Sequence, residues 1–228
     1  MLNVKNLAVK YGRQTVFQNL NFELMAGDFL CLVGANGSGK STLIRAILGL
    51  IKPTTGKIDF DEGLRQNFIG YLSQNGTKNG EFPASVLEIV RSGTLNQAGF
   101  GLFYKKEQKE RAREALSLLN ISPLTQENFC DLSGGQKQKV LLARGLAATT
   151  KLLILDEPSN NLDRKSKLEL YSLLKKLNQE QNLTIILITH DLDSESLIGN
   201  KILQLNGREH FFGTTQDFLK QRTEAEHV

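Results

Sequence analysis

The sequence predicts an α/β fold whose parallel-sheet core is split by a helical insertion. Three observations lead there. Phe29–Val33, Leu152–Leu155 and Ile185–Ile188 are continuous apolar runs of strand length, the pattern of strands covered on both faces. Leu170, Leu173, Leu174 and Leu177 stripe a helix between the last two, which indicates a βαβ unit. From about 83 to 148 the periodicity turns helical, with Ala112, Ala115, Leu116 and Leu119 at i, i+3, i+4, i+7. The core is therefore expected over about 1–80 and 150–228, with a helical subdomain over about 81–149.

In chain order, Val4–Tyr11 and Val16–Leu24 read as a β pair turning at Gly12-Arg13-Gln14. The Phe29–Val33 strand is interrupted at Gly34–Gly39, and Ser41–Leu48 reads as a helix ending at Gly49. Ile58–Phe60 and Phe68–Leu72 are further strands. The charges Lys106/Glu110 and Glu107/Arg111 fall at i,i+4, as on a solvated helix face. Ile202–Leu205 and His210–Phe212 suggest short strands, and a last helix covers Thr215–Gln221.

Composition excludes several classes. With 40% hydrophobic and 23% charged residues, the chain is neither a disordered tail nor a coiled coil. A net charge of +4 over 228 residues is weak support for nucleic-acid binding, and no nucleic-acid partner is expected. Cys31 and Cys130 form no metal-binding pair and read as free thiols of a reducing compartment. No secretory pattern opens the chain, and no apolar run approaches the ~20 residues of a membrane span.

Three constellations carry chemistry. Gly34-Ala35-Asn36-Gly37-Ser38-Gly39-Lys40-Ser41 fits GxxxxGK[ST] between a strand and a helix. Its glycines let backbone N–H groups wrap a phosphate, and the helix start adds about half a positive charge. Lys40 would reach the β and γ oxygens, and Ser41 would ligate Mg²⁺. Second, the strand Leu152–Leu155 ends in Asp156-Glu157. Asp156 suits a Mg²⁺ site, and Glu157 suits a base that polarises water in line with the γ-phosphate. Third, in Leu132-Ser133-Gly134-Gly135-Gln136, Ser133 and Gln136 fit a capping box that opens a helix over Lys137–Ala148. Such a start both stabilises the helix and can present N–H groups to a second phosphate surface. Val140, Leu141, Leu142 and Leu146 would anchor it.

In this order the three elements resemble the nucleotide-binding subunit of ATP-binding cassette (ABC) transporters, over nearly the whole chain. The resemblance implies a P-loop NTPase fold: a RecA-like parallel-sheet core, an N-terminal antiparallel β subdomain and a helical signature subdomain. It implies ATP and Mg²⁺ as cofactors, with Gly34–Thr42 (Thr42 included) and Ser133–Gln136 around the nucleotide. Tyr11 matches the aromatic that stacks on adenine, although a strand-end rim tyrosine reads the same way. Gln74 matches the glutamine that senses Mg²⁺ and water. Ser159–Asp163 matches the loop that crosses the dimer interface, and His190 matches the histidine at the γ-phosphate. His210 and His227 read as ordinary surface residues. Lys40, Gln74, Glu157 and His190 form the implied catalytic set, with Ser41, Gln74 and Asp156 around the metal. Ala35, Lys139 and Gly145 depart from the common Pro, Arg and Ala without removing a catalytic group.

The resemblance further implies ATP hydrolysis to ADP and phosphate by a head-to-tail dimer. That dimer would sit peripherally at the cytoplasmic face of the membrane, energising a polytopic permease served by an extracytoplasmic solute-binding protein. The segment Phe82-Pro83-Ala84-Ser85-Val86-Leu87-Glu88 onward is similar to zinc and manganese importer ATPases, so metal-ion uptake is the expected transport. Siderophore and cobalamin importers share a looser version. Phe100, Leu102, Phe103 and Tyr104 read equally as a docking surface or a satellite core. A soluble regulatory or assembly ATPase is the alternative class, and Ser159-Asn160-Asn161-Leu162-Asp163 looks somewhat like its translation-factor branch. That branch usually carries two cassettes, whereas this chain has one. A GTP switch would need an Asn-Lys-x-Asp reader, which the sequence lacks.

Overall fold

The computed structural model describes residues 1–61, 63–73, 83–97, 104–160, 162–190, 197–207 and 209–226. In chain order the elements are β1 (Leu2–Tyr11), β2 (Gln14–Leu24), β3 (Phe29–Val33), α1 (Lys40–Ile47), β4 (Thr55–Phe60) and β5 (Ile69–Leu72). There follow α2 (Val86–Ser92), α3 (Lys106–Leu118), α4 (Gly134–Ala148), β6 (Leu152–Asp156) and α5 (Arg164–Gln181). The chain continues with β7 (Thr184–Thr189), β8 (Lys201–Asn206), β9 (Glu209–Thr214) and α6 (Thr215–Glu226). They form two compact units, Met1–Gln66 with Tyr171–Val228, and Asn67–Leu170.

The first unit holds two sheets. β2, β1 and β4 form an antiparallel three-stranded sheet in that order. The alternating burial of β2, with Phe17, Leu20, Phe22 and Leu24 inside, is the signature of a half-covered sheet. In the second sheet β3 runs parallel to both β7 and β8, and β9 returns antiparallel on β8. All five residues of β3 and all six of β7 are buried, as their unbroken apolar sequences require.

A polar knot roots β3 at its N-terminal end. Asp28 accepts hydrogen bonds from Met25 N (2.7 Å) and Asn200 Nδ2 (3.1 Å) and pairs with Lys201 Nζ at 2.8 Å. Asn200 Oδ1 in turn accepts from Phe29 N at 2.7 Å. Burial opposes the Asp28 charge, but Lys201, Asn200 and the Met25 amide outweigh it and hold the carboxyl below its usual range. Nothing in the sequence pattern announces this cluster, because Asp28 and Lys201 lie far apart in the chain.

In the second unit β5 and β6 pair in parallel, and α4 packs against α2, α3 and β5. Beside these helices the unit takes in β5, β6 and the start of α5. Val140, Leu142 and Ala143 of α4 are fully buried. α2 opens on a second capping box that sequence reading passed over: Ser85 Oγ accepts from Glu88 N (3.3 Å) and Glu88 Oε2 accepts from Ser85 N (2.8 Å). Those bonds, at an exposed helix start, hold the Glu88 carboxyl below its usual range.

Candidate nucleotide site

In the first unit, β3 leads directly into the loop 34–39 and then α1. A side chain at Gly34 would strike the Leu205 carbonyl, and one at Gly39 would come within 2.7 Å of Val16 Cγ1. Glycine is thus favoured at Gly34 by close backbone approach, and at Gly39 by the side chains of Val16 and Phe17 and by a positive φ. Gly39 is also the N-cap of α1, in the left-handed region at φ +105°. No side chain caps this helix, and its first turn holds no acidic residue. Asp, Ser or Asn would ordinarily accept the orphan N–H groups there.

Several groups offered by the loop and helix start suit an anion. Lys40 is 6% exposed, and its Nζ donates to Gly34 O (2.6 Å) and Ala35 O (3.0 Å), which folds the loop over the ammonium group. Ser38 is buried and its Oγ has no hydrogen-bond partner among the described residues. Ala35, Asn36, Gly37 and Ser41 are exposed, and Thr42 is half-buried. The segment 34–42 holds no carboxylate. An uncapped helix start, a buried lysine and an orphan hydroxyl on one cradle fit a polyphosphate.

The sheet register brings His190 to the same edge. Val33 of β3 pairs with Thr189 of β7, so Gly34 and His190 leave adjacent parallel strands at their carboxyl ends. His190 is exposed there. Tyr11, at the end of β1, is 51% exposed.

In the second unit, the end of β6 and the start of α4 share a half-open cleft of about 130 Å³, lined among others by Gly134, Lys137, Asp156 and Glu157. Asp156 Oδ2 accepts a hydrogen bond from Tyr71 Oη at 3.2 Å. Glu157 has φ +49°, a left-handed conformation that costs a non-glycine residue ~1–3 kcal/mol. Asn160 secures it: its backbone N donates to Glu157 O at 3.2 Å, and its Nδ2 to Glu157 Oε2. Asp163, at the far end of that loop, accepts from the amide and hydroxyl of Ser166, which holds its carboxyl below the usual range.

The capping box at α4 is formed. Gln136 N donates to Ser133 Oγ (3.3 Å), and Ser133 N donates to Gln136 Oε1 (2.9 Å). Gly134 and Gly135 are different from the loop glycines. Their φ angles are not positive, and a Cβ on either would meet open space. Nothing within the described residues demands glycine at these two positions.

Gln74, Phe100, Leu102, Phe103, Asn161 and His227 lie outside the described residues. Sequence reading missed Tyr71 as a partner of Asp156, and Gln138, whose Nε2 donates to Pro158 O at 2.7 Å. One signal for Gln138 was available. It is a lone amide in the helical stripe 134, 138, 141, 145, whose other members are glycine and leucine.

No helix among the described residues is long and apolar enough to cross a membrane. A family model described as "ABC transporter" matches residues 17–160. The chain is 34% identical to the zinc uptake system ATP-binding protein ZurA of Listeria innocua, covering 96% of this chain and 87% of that protein. It is 38% identical to the molybdate import ATP-binding protein MolC of Haemophilus influenzae, covering 96% and 84%. Among solved structures, the dimeric post-hydrolysis cassette MJ0796 with ADP and Pi superposes with a TM-score of 0.74 at 29% identity, covering 94% of this chain and 98% of that one. The match spans the phosphate loop, the Leu-Ser-Gly-Gly-Gln helix and the Asp-Glu strand together, and this chain is a member of the ABC transporter family, an ATP-hydrolysing cassette with the P-loop NTPase fold.

Proposed function

We propose that the chain is the ATPase subunit of a metal-ion importer, working as a head-to-tail pair beneath a membrane permease. The observation that carries the paired arrangement is the state of Gly134 and Gly135, which are glycine where the chain's own packing leaves room for a side chain. Bare positions at a helix start let another surface approach its N–H groups closely. The nucleotide held by Gly34–Thr42 of one copy is that surface, and Ser133–Gln136 of the second copy completes its site. Tyr11 stacks on the base. The phosphates thus supply negative charge to two helix starts at once, and hydrolysis removes the anion that joins them.

Within each site Glu157 takes the proton of the attacking water, and His190 and Gln74 hold that water and the γ-phosphate in line. Lys40 neutralises charge on the β and γ oxygens. Mg²⁺ fits the hard-oxygen donors Ser41 Oγ and Asp156, with Gln74 as a third, and when bound it neutralises phosphate charge. The left-handed turn at Glu157 fixes the direction in which that carboxylate leaves the end of β6. The helical elements of the second unit form the signature subdomain and carry the permease-facing surface. The assembly sits at the cytoplasmic face of the membrane, with a solute-binding protein delivering cargo from outside.

Zinc is the cargo favoured by the similarity to a zinc uptake protein across 96% of this chain. The similarity to a molybdate importer favours a second reading, oxyanion uptake. Deleting the gene and measuring accumulation of radioactive zinc and molybdate separates them. Loss of zinc uptake, restored by the wild-type gene but not by Glu157→Gln, is the expected result. Normal zinc uptake with lost molybdate uptake would establish the second reading instead.

A further inference from the structure

We infer that Gln138 is a positioning residue for the hydrolytic carboxylate, tying the body of α4 to the loop that carries Glu157. The bond from Gln138 Nε2 to Pro158 O, 2.7 Å, joins the second turn of α4 to the carbonyl of the residue that follows Glu157. Gln138 is half-buried, and it lines the same cleft as Asp156, Glu157 and Asn160. Glu157 needs such a restraint. Its left-handed backbone is unfavourable in isolation and persists only where the surroundings over-determine it. Two amide side chains do so. Asn160 grips the carboxylate itself, while Gln138 grips the backbone one residue on.

The inference rests on the reading of Glu157 as base and of α4 as the element that meets the partner copy's nucleotide. On that reading, the helix that senses one composite site is hydrogen-bonded to the loop that carries the carboxylate of the other. A shift of α4 on engaging the partner's nucleotide moves Pro158 and with it Glu157. Hydrolysis at the two sites is then coupled through Gln138, a property that neither the phosphate loop nor the capping box supplies.

The test uses the purified full chain and steady-state ATP hydrolysis. Gln138→Met keeps the length of the side chain and removes the donor, and Gln138→Lys returns an N–H donor. Gln138→Met is expected to lower kcat at least ~10-fold, through misplacement of the base, with KM for ATP changed by less than about twofold. Its Hill coefficient should fall to about one as coupling between sites is lost, and its melting temperature should stay within about 2 °C of wild type. Gln138→Lys should recover more than half of kcat. Wild-type kcat and Hill coefficient in Gln138→Met would overturn the inference. So would a kcat loss accompanied by a matching fall in melting temperature, or no recovery in Gln138→Lys. Glu157→Gln run in parallel separates the two levels. Near-normal hydrolysis by that variant sinks the reading of Glu157 itself, whereas an inert Glu157→Gln beside an unaffected Gln138→Met sinks only the positioning role.

Discussion

Two glycine-rich helix starts in this chain solve the same electrostatic problem in opposite ways. At α1 the N-cap is a glycine in a left-handed conformation, no side chain accepts from the first turn, and a buried lysine adds positive charge. At α4 the N-cap is Ser133, locked reciprocally to Gln136, and the glycines behind it have no steric reason to be glycine. The first start has no side-chain acceptor for its N–H groups among the described residues, as a site for an anion would. The second is capped by its own residues, and its glycines leave the helix start open. The difference teaches that a helix dipole alone does not define a phosphate site. What decides is whether the chain has already spent its own acceptors on the orphan amides.

The comparison breaks most readily at Lys40. Lys40→Ala removes a charged donor worth ~1.5–3 kcal/mol, so ATP affinity measured by calorimetry should fall on the order of a hundredfold. Unchanged affinity would mean that α1 does not hold the nucleotide. At α4, Gly135→Ala should leave stability equal or raised by up to ~1 kcal/mol, since a Cβ there meets open space and alanine favours helix. On the proposed pairing, ATP turnover should nonetheless fall severalfold, because the added methyl would stand between α4 and the partner's nucleotide. Normal turnover would remove the argument for a paired site. Ser133→Ala has the reverse weighting, losing ~1 kcal/mol of stability with the cap, measurable by denaturant unfolding.

Acid sharpens the account of β3, the strand that delivers the phosphate loop. The Asp28 carboxyl is held below its ordinary value in the folded protein, so its contribution is fully present above the unfolded pKa. That contribution disappears as pH falls from about 4 toward the lower folded value. Asp28→Asn should flatten this limb of the stability curve below pH ~4. A parallel acid limb in wild type and variant would show that the knot carries no linkage. The smallest effect concerns the thiols. Burial pushes the Cys31 thiol up to about 11, whereas Cys130 is only half-buried. A thiol reagent at neutral pH should label Cys130 first and reach Cys31 only on unfolding. Equal labelling rates in the native protein would contradict the packing around β3.

Much of the fold was legible because its signals are local. The apolar runs of β3, β6 and β7 needed no partner to be recognised as buried strands, and Ser133 with Gln136 announced the start of α4 within four residues. The glycine-rich loop 34–39 was legible for the same reason, as a contiguous segment between a buried strand and a helix. What escaped was long-range pairing. Asp28 with Lys201, Tyr71 with Asp156, and Gln138 with Pro158 join residues that periodicity treats separately. The left-handed turn at Glu157 was also hidden, since a glutamate gives no compositional warning of positive φ.

The central claim, that one nucleotide joins the start of α1 in one copy to the start of α4 in another, is tested most directly by sedimentation of Glu157→Gln with saturating ATP and Mg²⁺. The expected result is a doubling of mass that depends on ATP and disappears when Gly135→Ala is added. A species that stays at single-chain mass at saturating ATP, or a dimer indifferent to both nucleotide and Gly135, would contradict it.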